Sequence, residues 1–408
     1  MRILFVTPFL PSPPRFGGQR RLDGLMRSLA KNHEVSVISF TATDEFKEMS
    51  LEATRAYCKD VEVFPDLEFV DRRNKRLLQA RSLLSLHSFE HLLVARRREF
   101  LARLQQLVDS GRFDVVQVEF VQMAALKFQL PAARRFRTVL DEHNIEFDIV
   151  KRTANAEVSP ARRLYSSVDW RKLKREEVDA WRWFDGVSVT SDRDGAILSE
   201  LSPQTQVSVV PNGVDIELFR PSPRDPESDS LLFFGAMNYY PNQDGLSYFV
   251  EQIFPLILAK RPGTKLRVVG PAPESVKRLQ SANIEVTGFV DAVEPYIDAA
   301  AAVIVPLRLG GGTRLKIVEA MSKGKAIVST RVGAEGIDVV DGESALLADD
   351  PQGFAAHVES VLADATLAKR LGGAARKLAE DRYSWPALVA GLERFYEQLL
   401  NAPTTRGA

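Results

Sequence analysis

The sequence is short of several things that would point to other functions. It has one cysteine, Cys58, among 408 residues. That excludes an intrachain disulfide framework and fits a reducing compartment, where a lone thiol serves as a small buried hydrophobe. It carries no net charge, because 54 Lys and Arg balance 54 Asp and Glu, so there is no basic field of the kind nucleic-acid binding needs. No run approaches the roughly 18 consecutive apolar residues of a spanning helix. The opening MRILFVT passes straight into PFLPSPP, without a signal peptide's charged start and long apolar core. The expected location is therefore cytoplasmic. Also missing are a serine-hydrolase elbow, a Cys/His metal cluster and a G-x-G-x-x-G dinucleotide turn.

What is present is a repeated alternation of short apolar, β-rich runs with helical stretches. The first half offers RILFVT (2–7), EVSVISF (34–40), VEVF (61–64), FDVVQVEF (113–120), TVLDEH (138–143) and GVSVTS (186–191). The pattern restarts with VSVVP, LLFFG, KLRVVG, IEVTGF, AAVIVP and AIVST. Continuous hydrophobic strands separated by helices predict parallel sheets covered on both faces, with ligands at the carboxyl ends of the strands. The fold class is thus α/β with two doubly wound domains, residues 1–205 and 206–383. A proline- and acid-rich linker runs through PNGVDIELFRPSPRDPESDS (211–230), and the active site is expected between the domains.

The most telling stretch is Gly310-Gly311-Gly312-Thr313-Arg314-Leu315-Lys316-Ile317-Val318-Glu319. Glycines end an apolar strand and precede an amphipathic helix, so bare backbone N–H groups and a helix N-terminus face one ligand. Arg314 and Lys316 add cations near the first turn, and Glu319 follows where a carboxylate can accept from vicinal ribose hydroxyls. Glycines, cations and carboxylate in that order suit a diphosphate followed by a sugar, although such a turn also serves simply to pack helix on strand. Gly17 and Gly18, before a helix expected to begin near Gln19, offer a second set of backbone donors or else a plain loop. Asp141-Glu142-His143-Asn144 ends a strand and stands where α/β folds place chemistry. Between 72 and 98, eight Arg or Lys accompany a single acid, Glu90, around apolar helical turns. This segment is read either as a helix with a buried apolar stripe and solvated basic ends, or as a contact to an anionic membrane surface.

The string GGGTRLKIVEAM, followed by GKAIVSTRVGAEGI, resembles the C-terminal signature of retaining GT-B glycosyltransferases of family 4, and specifically a subgroup carrying GGGTRLK. The resemblance covers nearly the whole chain. It implies a GT-B fold of two Rossmann-like domains: an acceptor-binding N-terminal domain, on which a C-terminal helix (384–402) packs back, and a nucleotide-sugar-binding C-terminal domain. The activity implied is sugar transfer with retention, from a nucleoside diphosphate sugar to a saccharide or lipid-linked saccharide, in cell-surface polysaccharide or glycoconjugate synthesis. No cofactor and no metal are expected. Two departures from the family pattern redistribute its roles. The family's sugar-contacting Glu, eight residues before the position of Glu319, is here Gly311, so the backbone amides of Gly311 and Gly312 are its expected substitute. The family's Arg and Lys clamp after the first C-terminal strand is replaced by Ala236 and no lysine, in LLFFGAMNYYPNQDG. Arg314 and Lys316 are therefore expected to hold the diphosphate. By the same match His143 is the catalytic-site residue of the N-terminal domain, and Gly235 and Thr313 join the donor-binding set. Two rivals stand beside this reading: a nucleotide-sugar 2-epimerase on the same fold, and a non-catalytic nucleotide-sugar-binding protein.

Overall fold

The structure, a computed structural model, describes residues 1–41, 47–65, 72–94, 97–126, 128–129, 134–156, 160–309 and 314–403. Two compact units divide the chain, Met1–Pro211 with Val389–Ala408, and Asn212–Leu388. Each unit is built on one parallel sheet.

In the first unit, β1 (Arg2–Thr7), β2 (Glu34–Thr41), β3 (Val61–Pro65), β4 (Val115–Glu119), β5 (Arg137–Glu142), β6 (Gly186–Val189) and β7 (Gln206–Val209) lie in the order β3-β2-β1-β4-β5-β6-β7. In the second, β8 (Ser230–Phe234), β9 (Lys265–Val269), β10 (Ile284–Gly288), β11 (Ala302–Val305), β12 (Ala326–Ser329) and β13 (Leu346–Leu347) lie in the order β10-β9-β8-β11-β12-β13. The continuous apolar runs explain the parallel pairing. Ile3, Leu4, Phe5 and Val6 are all buried, although successive side chains of a strand point to opposite faces, so both faces need a cover. Helix Gly17–Leu29 supplies part of it with Leu22, Leu25, Met26 and Leu29, spaced three or four apart. Cys58 is buried as expected, and burial pushes its thiol up to about 12, which leaves it unreactive.

Strand order fixes where ligands can enter. In each sheet the winding reverses once, between β1 and β4 and between β8 and β11, and a crevice opens beyond the carboxyl ends of those strands. Gly17, Gly18, Glu119 and His143 follow or end strands beside the first reversal. Gly235 and the described residues 306–309 and 314–316 do so beside the second.

Three expectations need correction. The run VSVVP does not open the second set of strands: β7 pairs with β6 and closes the first sheet, so the first unit runs to Pro211. The helix expected near Gln19 begins at Gly17, so both glycines form its first turn rather than precede it. The basic segment buries its apolar residues only in part, with Val94 in the core. Helix Arg72–Leu84 and the turn after it leave Leu77, Leu83, Leu84 and Leu86 exposed, Leu84 at 93%. At the other end of the chain, helix Trp385–Asn401 joins the first unit from Val389 onward. There the Arg137 guanidinium donates to the Leu399 carbonyl at 2.8 Å, and the Tyr396 hydroxyl donates to Gln117 Oε1. Among the described residues, no helix is long and apolar enough to cross a membrane.

Candidate active site

At the switch point of the second unit, the chain leaves β8 through Gly235, whose φ is +136°. Its N–H donates to the Val269 carbonyl at 2.9 Å, and Gly270 at the end of β9 has φ +133°. A Cβ on Gly270 would lie 2.0 Å from the Gly235 carbonyl oxygen, so the two backbones touch where no side chain fits. A Cβ on Gly235 would lie 3.2 Å from Lys316 Nζ and 3.3 Å from Asn242 Nδ2. Glycine there leaves the space that lysine and asparagine occupy.

Lys316 is the second residue of helix Leu315–Ser322, which follows β11. Its ammonium reaches back to the end of β8, donating to Asn242 Oδ1 at 2.8 Å and lying 4.4 Å from the centre of the Phe233 ring. Asn242 is held in turn by its own Nδ2, which donates to the Ala236 carbonyl at 2.8 Å. Burial, and after it repulsion from Arg314, bring the Lys316 pKa down to about 7, and Glu319 offsets them only in part. Arg314, the N-cap residue of the helix, and Glu319 are both largely buried, at 9% and 4% exposure. The expected group of two cations and one carboxylate is therefore assembled around one helix start. Gly311, Gly312 and Thr313 lie outside the described residues. Just before them, Arg308 is pinned by a two-pronged ion pair to Asp244, at 2.6 and 3.0 Å, and lies over the Tyr248 ring.

The first unit's switch point is organised differently. Arg21, on helix Gly17–Leu29, donates to both oxygens of Asp141 at 2.8 Å and to the carbonyls of Val210 and Pro211 at 2.8 and 3.0 Å. Ser188 also donates to Asp141, at 2.6 Å. Burial alone would raise the Asp141 carboxyl, but the Arg21 charge and hydrogen bonds hold it down at about 2. His143 sits beside this pair, with Nε2 at 2.9 Å from Glu119 Oε2. Burial lifts Glu119 well above the usual carboxylate range, and the neighbouring Asp141 charge adds to that. Burial also drives His143 down to about 3. At neutral pH His143 is thus a neutral imidazole, hydrogen-bonded to a carboxyl that its surroundings push towards protonation. Such an imidazole can exchange hydrogen bonds with a hydroxyl but brings no charge.

Phe120 shapes the wall next to it. Its φ of +67° is rare for a bulky residue and turns the ring onto His143, with centroids 3.7 Å apart. A Cβ on Gly18 would lie 3.1 Å from that ring and 3.3 Å from Phe9 and Phe16, so Gly18 is tied to an aromatic cluster that also faces His143. Glu119, Asp141 and His143 are close enough together for a metal. However, Asp141 is committed to Arg21, and Glu119 accepts from Gln117 at 2.7 Å, so a guanidinium already fills the cation's place. Arg21, Glu119, Phe120 and Asn242 escaped the sequence reading. Only for Glu119 and Phe120 was there a signal, their position at the end of a strand.

The sequence matches two family profiles, Glycosyltransferase Family 4 over residues 17–218 and Glycosyl transferases group 1 over residues 228–364. It is 24% identical over 373 residues to an uncharacterized 44.6 kDa protein in the cps region of Klebsiella pneumoniae, covering 88% of this chain and 90% of that one. Among solved structures, sucrose-phosphate synthase from Thermosynechococcus elongatus aligns with a TM-score of 0.74 at 17% identity, over 99% of this chain and all (100%) of that one. Anabaena HepE in complex with UDP aligns with a TM-score of 0.68, also at 17% identity, over 98% of this chain and 100% of that one.

Proposed function

The chain belongs to the family 4 and group 1 glycosyltransferases and has their GT-B pair of Rossmann-like domains; from that premise we propose that it moves a sugar from a nucleoside diphosphate sugar to a saccharide or lipid-linked saccharide, with retention. The observation that carries this reading is Lys316. It is a partly buried ammonium whose direct partners are an amide oxygen and an aromatic face, beside a buried cation, Arg314. An incoming diphosphate supplies the charge that Asn242 lacks. In this assignment Arg314 and Lys316 hold the diphosphate as it leaves, Glu319 holds the ribose, and Gly235, Gly311, Gly312 and Thr313 let the backbone approach the donor. Gly17 and Gly18 add first-turn N–H groups, and the neutral His143 holds hydroxyls of the reacting sugar. With retention, the acceptor hydroxyl attacks on the face from which the diphosphate departs. The C–O bond to the diphosphate breaks as the new glycosidic bond forms, and a diphosphate oxygen takes the hydroxyl proton. Fixed cations and the helix dipole stabilise that leaving group without a metal, so transfer is expected to persist in EDTA.

Calorimetry with UDP, GDP, ADP, dTDP and CMP, first without metal and then with magnesium, tests the donor site. UDP heads the panel because it is the ligand of HepE. One diphosphate should bind without metal and lose its binding in Arg314→Ala. Binding of none would overturn the assignment, and binding only with magnesium would overturn its metal-free form. Incubating the donor alone separates transfer from epimerisation, which needs no acceptor.

A lipid-linked acceptor is favoured by the exposed Leu77, Leu83, Leu84 and Leu86 in a segment that also carries Arg81, Arg97 and Arg98. Such a surface suits the anionic face of a bilayer. The unaltered protein should sediment with anionic liposomes and much less with neutral ones, and Leu84→Ser with Leu86→Ser should release it. No sedimentation of the unaltered protein ends the membrane reading and leaves the transferase reading standing.

A further inference from the structure

We propose that the first unit holds a second, non-catalytic site, which takes a divalent transition cation of the zinc class on His87, His91 and Glu176. Glu176 lies 85 residues beyond His91, and helix Pro160–Trp183 brings it against helix Phe89–Val94 and the turn before it, which carry His91 and His87. The two imidazoles are stacked at 4.1 Å with planes 10° apart, and both turn Nδ1 towards the same carboxylate oxygen. Glu176 Oε1 is 3.0 Å from His87 Nδ1 and 3.8 Å from His91 Nδ1. All three ligand atoms lie within 4.8 Å of one another. Ligands bound at about 2.0–2.2 Å around a tetrahedral zinc stand about 3.3–3.6 Å apart, so binding must turn the two rings out of their stack, for which the half-exposed His87 has room, and draw the ligand atoms together.

The supporting shell is already in place. The Ser88 N–H donates to both Glu176 oxygens, at 3.1 and 3.3 Å, and Ser88 Oγ accepts from the His91 N–H at 3.2 Å, so one residue orients two of the three ligands. A cavity of about 90 Å³ adjoins the group and is also lined by Gln122, Arg175 and Asp179. Asp179 or a water can supply the fourth position. The donor set selects the ion: two imidazoles with one carboxylate suit zinc, nickel, cobalt or copper rather than magnesium or calcium. The bound cation fastens the turn 85–88 to the long helix. Arg175 already donates there to the Leu86 carbonyl, and Lys172 to the Ser82 carbonyl, so the ion completes an existing attachment.

The test is titration of the full chain with Zn²⁺, followed by calorimetry, beside His87→Ala, His91→Ala and Glu176→Gln. His357→Ala serves as a control outside the group. One Zn²⁺ per chain is expected, with at least about a tenfold loss of affinity in each of the three variants, none in the control, and no heat from Mg²⁺. The exposed His87 side chain, at 48%, makes His87→Ala safe for folding, so its result stands whatever the other variants do. Absence of Zn²⁺ binding, unchanged affinity in His87→Ala, or equal binding of Mg²⁺ would overturn the proposal.

Discussion

Each unit holds a cation at its switch point, Arg21 fully buried and Lys316 partly so, and the two cations are treated in opposite ways. Arg21 meets a carboxylate: Asp141 accepts two hydrogen bonds from it, and their mutual attraction outweighs the cost of burial, so Arg21 stays charged and Asp141 stays ionised. Lys316 meets an amide oxygen and a benzene ring, and burial brings its pKa down to about 7. A buried cation supplied with its own anion is structural. One left with neutral direct partners is maintained at a cost, and a ligand that brings the anion recovers it. That contrast is the reason the diphosphate is proposed for the second unit and a neutral, hydroxyl-binding role for the first.

The largest effect should come from breaking the complete pair. Arg21→Met leaves Asp141 buried without its partner and should cost about 3–5 kcal/mol of stability in chemical denaturation, with a matching loss in solubility on expression. Lys316→Met removes a cation that the fold does not need, so stability should hold or rise. Diphosphate binding should nevertheless fall about ten- to a hundredfold, the worth of a hydrogen bond to a charged group. If Lys316→Met destabilised as much as Arg21→Met and left nucleotide binding unchanged, both cations would be structural and the contrast would vanish.

Much of the fold was legible in the sequence. The apolar runs named the strands because a parallel sheet buries both faces and so needs no alternation, and the glycine-to-carboxylate string named Arg314, Lys316 and Glu319. What was not legible follows from how the chain closes on itself. VSVVP reads as a strand whichever sheet it joins, and only its pairing with β6 assigns it to the first. The sequence assigned the role of the missing clamp after β8 to Arg314 and Lys316, but did not show that Lys316 reaches back to Asn242, 74 residues away. Leu83, Leu84 and Leu86 fit a buried stripe by composition, yet burial depends on which face meets the long helix, and there it is Ser82 that turns inward, within 3.1 Å of the Tyr165 hydroxyl. His87 and His91 likewise became a ligand set only when Glu176 arrived from 85 residues further on.

The pH dependence sharpens the contrast without altering a residue. In the free protein Lys316 loses its proton as pH rises through about 7, while a bound diphosphate holds the proton on. Affinity should therefore fall between pH 7 and 9, by up to about tenfold per unit, since one proton is taken up on binding. Stability should respond in the reverse direction. A lysine depressed in the native state binds fewer protons there than in the unfolded chain, so its contribution rises with pH across the window from about 7 to the ordinary lysine value. Asp141, held at about 2, stays ionised throughout this window and adds no slope of its own. Calorimetry of the preferred diphosphate at pH 7, 8 and 9 reads the effect, and Lys316→Met should flatten it. A profile that stays flat in the unaltered protein would mean that no proton is taken up on binding, so Lys316 is either already charged in the free protein or no ligand of the diphosphate, and the contrast would fail.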